Sequence, residues 1–263
     1  MMPVTVTRGD SPVILGLPHG GTYVPDTLLT RLNDRGRALS DTDWHIAQLY
    51  HGLLPGVTTV EATFHRYVID ANRDPEGVSL YPGQNTTGLV PLTDFDGEPI
   101  WADPPGAAEV ADRLARFHAP YHAALVAEIE RVRARHGVAI LYDCHSIRSV
   151  IPFLFEGVLP DLNIGTAGGT SCAPAIEAAA VEAARASGRP WVLNGRFRGG
   201  WTTRHYGRPA ERVHAIQMEL AQSTHLATEA PPFAYEPGKA ASLRPVLAAL
   251  LARLAGIAER LPR

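Results

Sequence analysis

Asp143-Cys144-His145-Ser146 close the apolar run Val138–Tyr142, so a carboxylate, a thiol, an imidazole and a hydroxyl crowd the C-terminal end of what reads as a core strand. A second apolar run, Val13–Leu17, ends in Pro18-His19-Gly20-Gly21. Neutral imidazole is a common zinc ligand, and a catalytic zinc takes three protein ligands and leaves one position for water. His19 and His145 are therefore candidate ligands. A carboxylate would complete the set, and Ser40-Asp41-Thr42-Asp43 offers Asp43 or Asp41. The plainer role for a strand-end histidine is a hydrogen-bonded turn, which accounts for one such residue better than for two beside an acidic segment. His118 and His122 have the i, i+4 spacing of a helical zinc pair. Ala119, however, stands where the metalloprotease motif needs Glu, and Pro120 lies between the histidines, so a structural or surface role is expected for both.

Other polar stretches indicate what such a centre would act on. HRYVIDANRDP, residues 65–75, carries Arg66 and Arg73 at either end of an expected strand, with Asn72 beside Arg73. NGRFRGGWTTRHYGR, residues 194–208, holds Arg196, Arg198, Arg204 and Arg208 among glycines and aromatics. A solvated basic loop explains most arginines. Guanidinium forks also match carboxylates bidentately, and an acidic small-molecule substrate makes Arg73 and Arg204 the best candidates to grip it. Glu219 sits in an apolar context, AIQMELAQ. It reads either as a core-edge carboxylate paired with an arginine or as a general base whose proton affinity burial raises.

The elements that must position these groups alternate between strand and helix. Strands are expected at Val13–Leu17, Thr58–Ala62, Tyr67–Ala71, Val138–Tyr142, Trp191–Asn194 and Arg212–Leu220. Helices are expected from Ser40, a good N-cap, through Leu54, over Gly106–His136 with a kink at Pro120, and over Ala173–Ser187 and Ala240–Leu261. Residues 74–105 are rich in Gly, Pro and Asp, a long excursion of the kind that carries function. The alternation predicts an α/β fold, a mostly parallel mixed sheet flanked by helices, in one domain over residues 1–263. Ligands in such sheets collect beyond the carboxyl ends of the strands.

Composition excludes other classes. The chain has 263 residues, 45% of them hydrophobic, enough for a large core without disulfides. A formal net charge of −3, with arginines scattered rather than clustered, argues against nucleic acid. The two cysteines, Cys144 and Cys172, form no zinc or disulfide pattern. The N-terminus shows no signal peptide and no run reads as a membrane span, so a cytoplasmic protein without a membrane partner is expected. The sequence leaves the oligomeric state open.

Taken together, seven stretches resemble the N-formylglutamate amidohydrolase family, the N-formylglutamate deformylases of bacterial histidine degradation. They are PHGGTYVP at 18–25, SDTDWH at 40–45, HRYVIDANRDP at 65–75, LYDCHS at 141–146, PDLNIGTAGGTSC at 160–172, GGWTTRHYG at 199–207 and AIQMEL at 215–220. The ordered set is specific where each motif alone is weak. The resemblance implies a zinc-exopeptidase-like fold, distantly similar to carboxypeptidases and aspartoacylases. It also implies one divalent metal ion, zinc in the first place, with cobalt or another divalent ion as alternatives. Relatives of that broader kind use His-x-x-Glu, and here position 22 is Thr. By the same similarity the acidic ligand is Asp43 rather than Asp41, and the triad is His19, Asp43 and His145. Arg66 resembles the arginine that polarises the scissile carbonyl, Asn72-Arg73 the pair that grips the substrate carboxylate, and Glu219 the catalytic glutamate.

The mechanism this implies is hydrolysis of N-formyl-L-glutamate to formate and L-glutamate. The formyl group is too small to supply much binding energy, so the two carboxylates of the substrate must orient it. Asp143 and Ser146 are candidates to orient His145 from behind. The rival readings are a metallo-deacylase or carboxypeptidase-like hydrolase acting on another N-acyl amino acid, and a non-catalytic anion-binding relative.

Overall fold

The computed structural model describes residues 2–79, 82–258 and 260–261. Its strands are β1 (Val4–Thr7), β2 (Val13–Leu17), β3 (Thr58–Ala62), β4 (Ala139–Ile147), β5 (Leu162–Gly165), β6 (Trp191–Leu193) and β7 (Val213–Ala221). Its α-helices are α1 (Asp26–Leu29), α2 (Asp34–Arg37), α3 (Ile46–Tyr50), α4 (Ala107–Arg113), α5 (Ala119–His136), α6 (Pro174–Ala186), α7 (Trp201–Tyr206) and α8 (Pro237–Ala258).

The continuous apolar runs of β2, β4 and β7 are buried at every residue because helices cover both faces of the sheet. Strand alternation divides their side chains. Leu15, Leu17, Ile140, Tyr142, Cys144, Ile216 and Met218 meet α3, α6 and α8, while Ile14, Leu141 and Ala215 meet α5. The strands lie in the order β1-β3-β2-β4-β7-β5-β6. The central four are mutually parallel, β1 runs antiparallel to β3, and β5 antiparallel to β7. The mixed α/β sheet expected from the sequence is present.

Several expectations give way. The helix expected from Ser40 to Leu54 shrinks to α3. His45 adopts a left-handed conformation at φ 58°, and the Asp43 N–H donates to the carbonyl of His19, so residues 40–45 tie to the end of β2 instead of coiling. Tyr67–Ala71 is buried but is not a strand. It is folded into successive turns, with the Val68 N–H donating to His65 and the Arg73 N–H to Asp70. The long helix over Gly106–His136 divides at a π-helical turn, Leu114–His118, just before Pro120. Proline has no N–H for its preceding turn, and a π turn re-routes the hydrogen bonding there. β4 outruns its prediction: the polar residues 143–146 lie within the strand, not past it.

Helix α8 reaches the length and mean hydropathy of a membrane span, which the sequence reading did not anticipate. Its Leu243, Leu247, Leu250, Leu251 and Leu254 are nevertheless fully buried in the core with α6 and the sheet.

Candidate functional site

Two adjacent strands carry most of the site. β4 and β7 pair in parallel with Asp143 opposite Gln217 and His145 opposite Glu219. Residues two apart on a strand share a face, and partners across a parallel pair share it too. Four polar side chains are thus set in a square on one face. Cys144 is turned to the other side by the same alternation, into the apolar core, where burial pushes its thiol well above the usual range. It is packing, not chemistry.

At the end of β2, His19 meets this square. Its Nδ1 lies 3.2 Å from His145 Nδ1 and 3.9 Å from Asp43 Oδ2, and His145 Nδ1 lies 3.3 Å from the same oxygen. Three buried groups therefore present one nitrogen or oxygen each to a common point, and they form a cluster able to hold a metal ion. Ligands about 2.0–2.1 Å from a tetrahedral zinc stand roughly 3.3–3.4 Å from one another, and two of the three separations match that edge. The outward nitrogens are also braced. His19 Nε2 lies 2.6 Å from Asp70 Oδ1, and His145 Nε2 lies 3.1 Å from Asp143 Oδ1. A carboxylate behind each imidazole is what fixes ring orientation in metal sites. The residues present fit a divalent ion.

Protonation follows from the surroundings. Burial and the nearby Arg66 charge lower His19 to about 4, so its ring is neutral and, with Nε2–H given to Asp70, its Nδ1 lone pair faces the cluster. Burial works against the charged form of His145, but Asp143 and Asp43 outweigh it and raise that ring well above its ordinary value. A metal ion held here would require His145 Nδ1 without its proton. Burial would raise Asp43, yet Arg66 and the two histidines hold it below the usual carboxylate range. Asp43 Oδ1 accepts from Arg66 at 2.5 Å and Oδ2 from the Ser146 N–H at 3.0 Å.

The cleft against this cluster is lined by Arg66, Asn72, Arg73, Arg196 and Glu219, among others. Arg66 is 5% exposed, its guanidinium sits 4.9 Å above the Phe95 ring, and its Nε–H is buried without a protein acceptor. Arg73 is tethered to the Thr87 carbonyl and hydroxyl and stands 3.6 Å from Asp70. Glu219 has the Gln217 amide as its hydrogen-bond partner, at 3.1 Å. Burial is the main reason its carboxyl is pushed up to about 8.

The structure thus brings His19, Asp43, His145, Arg66, Asn72, Arg73 and Glu219 together. It does not bring Arg204, which is not among the residues lining the cleft; from α7 its Nε–H turns back to the Gly199 carbonyl. Arg196 from the same basic stretch does line the cleft, with donors to the carbonyls of Leu154 and Asn85. Asp41 also stands apart from the cluster, its Oδ2 accepting from the Tyr67 hydroxyl and the Phe95 N–H. Asp143 braces His145, whereas Ser146 holds Asp43 through its backbone. His118 and His122 are structural: their Nε2–H groups donate to the Arg73 and Ala71 carbonyls, and His122 Nδ1 accepts from the Tyr206 hydroxyl, so they pin the turn that carries Asn72. Asp70, Gln217 and the Thr86-Thr87 pair escaped the sequence reading. Asp70 lay inside a quoted motif, and Gln217 is one strand period before Glu219, a signal that period-two reasoning can use.

The chain is similar over nearly its whole length to known proteins. The profile of a family described as N-formylglutamate amidohydrolase matches residues 11–226. The chain is 46% identical over 252 residues to the N-formylglutamate deformylase of Pseudomonas aeruginosa, covering 94% of each chain. It is 45% identical over 261 residues to that of Pseudomonas putida, covering 97% of each. The crystal structure of N-formylglutamate amidohydrolase from Ralstonia eutropha JMP134 superimposes with a TM-score of 0.83 at 26% identity, covering 99% of both chains. An Agrobacterium tumefaciens protein shares the fold, with a TM-score of 0.72 at 19% identity over 98% of this chain and 96% of that one.

Proposed function

The chain belongs to the N-formylglutamate amidohydrolase family, and from that membership we propose that it hydrolyses N-formyl-L-glutamate to formate and L-glutamate with one divalent metal ion, zinc in the first place. The observation that carries the metal-dependent reading is the convergence of His19, Asp43 and His145 at the floor of an arginine-lined cleft beside Glu219. The reading takes residues 1–263 as one unit, supported by a single sheet drawing strands from Val4 to Ala221. Placement of the cluster at the carboxyl ends of β2 and β4 supports a zinc-exopeptidase-like scaffold. A cytoplasmic role closing a histidine-degradation route belongs to the same reading.

His19, Asp43 and His145 would hold the ion. Such an ion supplies Lewis acidity and makes a water acidic enough to lose its proton near neutrality. Glu219 takes the proton from the attacking water as its oxygen bonds to the formyl carbon. Arg66, whose side chain lines the cleft, stabilises the oxyanion that develops on the formyl oxygen. Glu219 then returns the proton to the glutamate nitrogen as the C–N bond breaks. Asn72 and Arg73 grip a substrate carboxylate and hold the small formyl group in line.

Formate release from N-formyl-L-glutamate, measured together with metal per chain, tests this. Comparison with N-acetyl- and N-succinyl-glutamate and N-formylaspartate sets the specificity. A metal-loaded protein that cleaves another acyl group faster, or none, overturns it.

Three substitutions test the roles assigned above. Asp70→Asn replaces the carboxylate behind His19 and is expected to weaken metal affinity by about 10–100-fold, read by chelator competition. Unchanged affinity would mean that His19 is oriented without it. Arg73→Ala is expected to raise KM, because losing one partner of a desolvated charge pair costs on the order of 2–5 kcal/mol. Arg66→Ala is expected to lower kcat instead, since its partner charge develops only in the transition state. Identical kinetic patterns for the two variants would erase that division of roles.

A further inference from the structure

Gln217 makes two hydrogen bonds that together have a direction. Its Oε1 accepts the Gly200 N–H at 2.6 Å, and its Nε2 donates to Glu219 Oε2 at 3.1 Å. We propose that Gln217 is the positioning residue for Glu219, its amide holding the carboxylate in one rotamer while the backbone at the start of α7 fixes the amide. The inference rests on the reading of Glu219 as general base.

A primary amide has a donor end and an acceptor end. Turning this one over would set its oxygen against the carboxylate and its NH₂ against the Gly200 N–H, two repulsive contacts in a site where Gln217 is 3% exposed. The amide therefore has one orientation. The Gly200 N–H that imposes it is itself immobile. A Cβ at residue 200 would stand 2.2 Å from Asn72 Nδ2, so only glycine lets the backbone approach this closely. Two residues further, the Thr202 N–H donates to Asn72 Oδ1 at 2.8 Å. The start of α7 thus orients two side-chain amides by their oxygens and aims the NH₂ group of Gln217 at Glu219.

Glutamate has freely rotating side-chain bonds, and this one lies among the charges of Arg66, His145 and Asp43. Without a tether the carboxylate is drawn towards the cations and away from the water it must deprotonate. A misplacement of about 1 Å at a reacting group can cost about 10²-fold in rate.

Two variants separate positioning from mere packing. Gln217→Glu keeps an acceptor for Gly200 but replaces the donor to Glu219 by a second carboxyl, so its kcat is read across pH: altered charge alone shifts the pH profile, whereas lost positioning lowers its plateau. Gln217→Met keeps the shape and removes both. Metal per chain, melting temperature, kcat and KM for formate release are measured on each. Gln217→Glu is expected to fold, to keep its metal and to lose about 10²-fold in kcat with KM within about threefold. Gln217→Met is expected to lose kcat similarly and to melt earlier. Turnover of Gln217→Glu within about threefold of the natural chain, or a loss confined to KM, overturns the inference alone. Should Gln217→Glu fail to fold, the same split of kcat from KM is read on Gln217→Met, where an unchanged kcat overturns it. A metal-loaded natural chain that releases no formate overturns the proposed function, and the inference with it.

Discussion

Glu219→Gln is expected to fold, keep its metal and bind substrate, yet lose turnover by roughly 10²–10⁴-fold. The amide preserves the shape of the carboxylate but cannot accept a proton. Burial, reinforced by the Asp43 and Asp143 charges and opposed by His145 and Arg66, pushes the Glu219 carboxyl up to about 8. That raised proton affinity suits a group that must take a proton from water and then give it up. A bound divalent ion adds positive charge that favours the ionised form. A structural carboxylate would behave differently: its loss would lower the melting temperature and leave activity per folded molecule largely intact. A metal ligand would differ again, with metal and activity falling together. Metal analysis, a melting curve and formate release on one purified variant distinguish the three, and near-normal turnover at full metal occupancy would falsify the general-base role.

His145→Ala is expected to lose metal and activity together. Two remaining ligands hold a divalent ion poorly, and the ring also stands between Asp43 and Asp143. Its removal leaves Asp43 with Arg66 but takes the histidine cation from buried Asp143, and breaking a buried pair costs about 3–5 kcal/mol. The variant should therefore also melt earlier than the natural chain, even with both stripped of metal by a chelator. Full metal content with normal turnover would remove His145, and with it the triad, from the mechanism.

The sequence showed the site more clearly than it showed some of the structure around it. The apolar runs of β2, β4 and β7 were legible because strands buried on both faces need no pattern other than hydrophobicity. The histidines at their ends were legible for the same reason, as polar residues with no business in a core. Tyr67–Ala71 was misread because burial in that segment comes from packing of turns, and hydrophobicity alone does not distinguish a buried turn from a strand. Helix α7 was read as a basic loop because Gly199-Gly200 and four arginines hide six helical residues, at whose start the Gly200 and Thr202 N–H groups hold Gln217 and Asn72. Arg204 was preferred to Arg196 because sequence cannot tell which way a helix turns its side chains. Asp70 and Gln217 serve through other residues, and a residue that acts on its neighbour leaves no motif until the neighbour is placed.

The square formed by Asp143, His145, Gln217 and Glu219 divides the molecule by heritability of change. Neighbouring strands are held about 4.8 Å apart by the backbone ladder, so the spacing between His145, the proposed ligand, and Glu219, the proposed base, is a property of the sheet and is indifferent to loop length. The outer wall of the cleft is instead built from loop residues, Thr86, Thr87, Leu154, Arg196 and Phe197. Insertions and substitutions there reshape what is admitted without disturbing the distance over which a proton must travel. Selectivity is therefore free to drift, or to be redesigned, while the reaction itself is conserved by geometry.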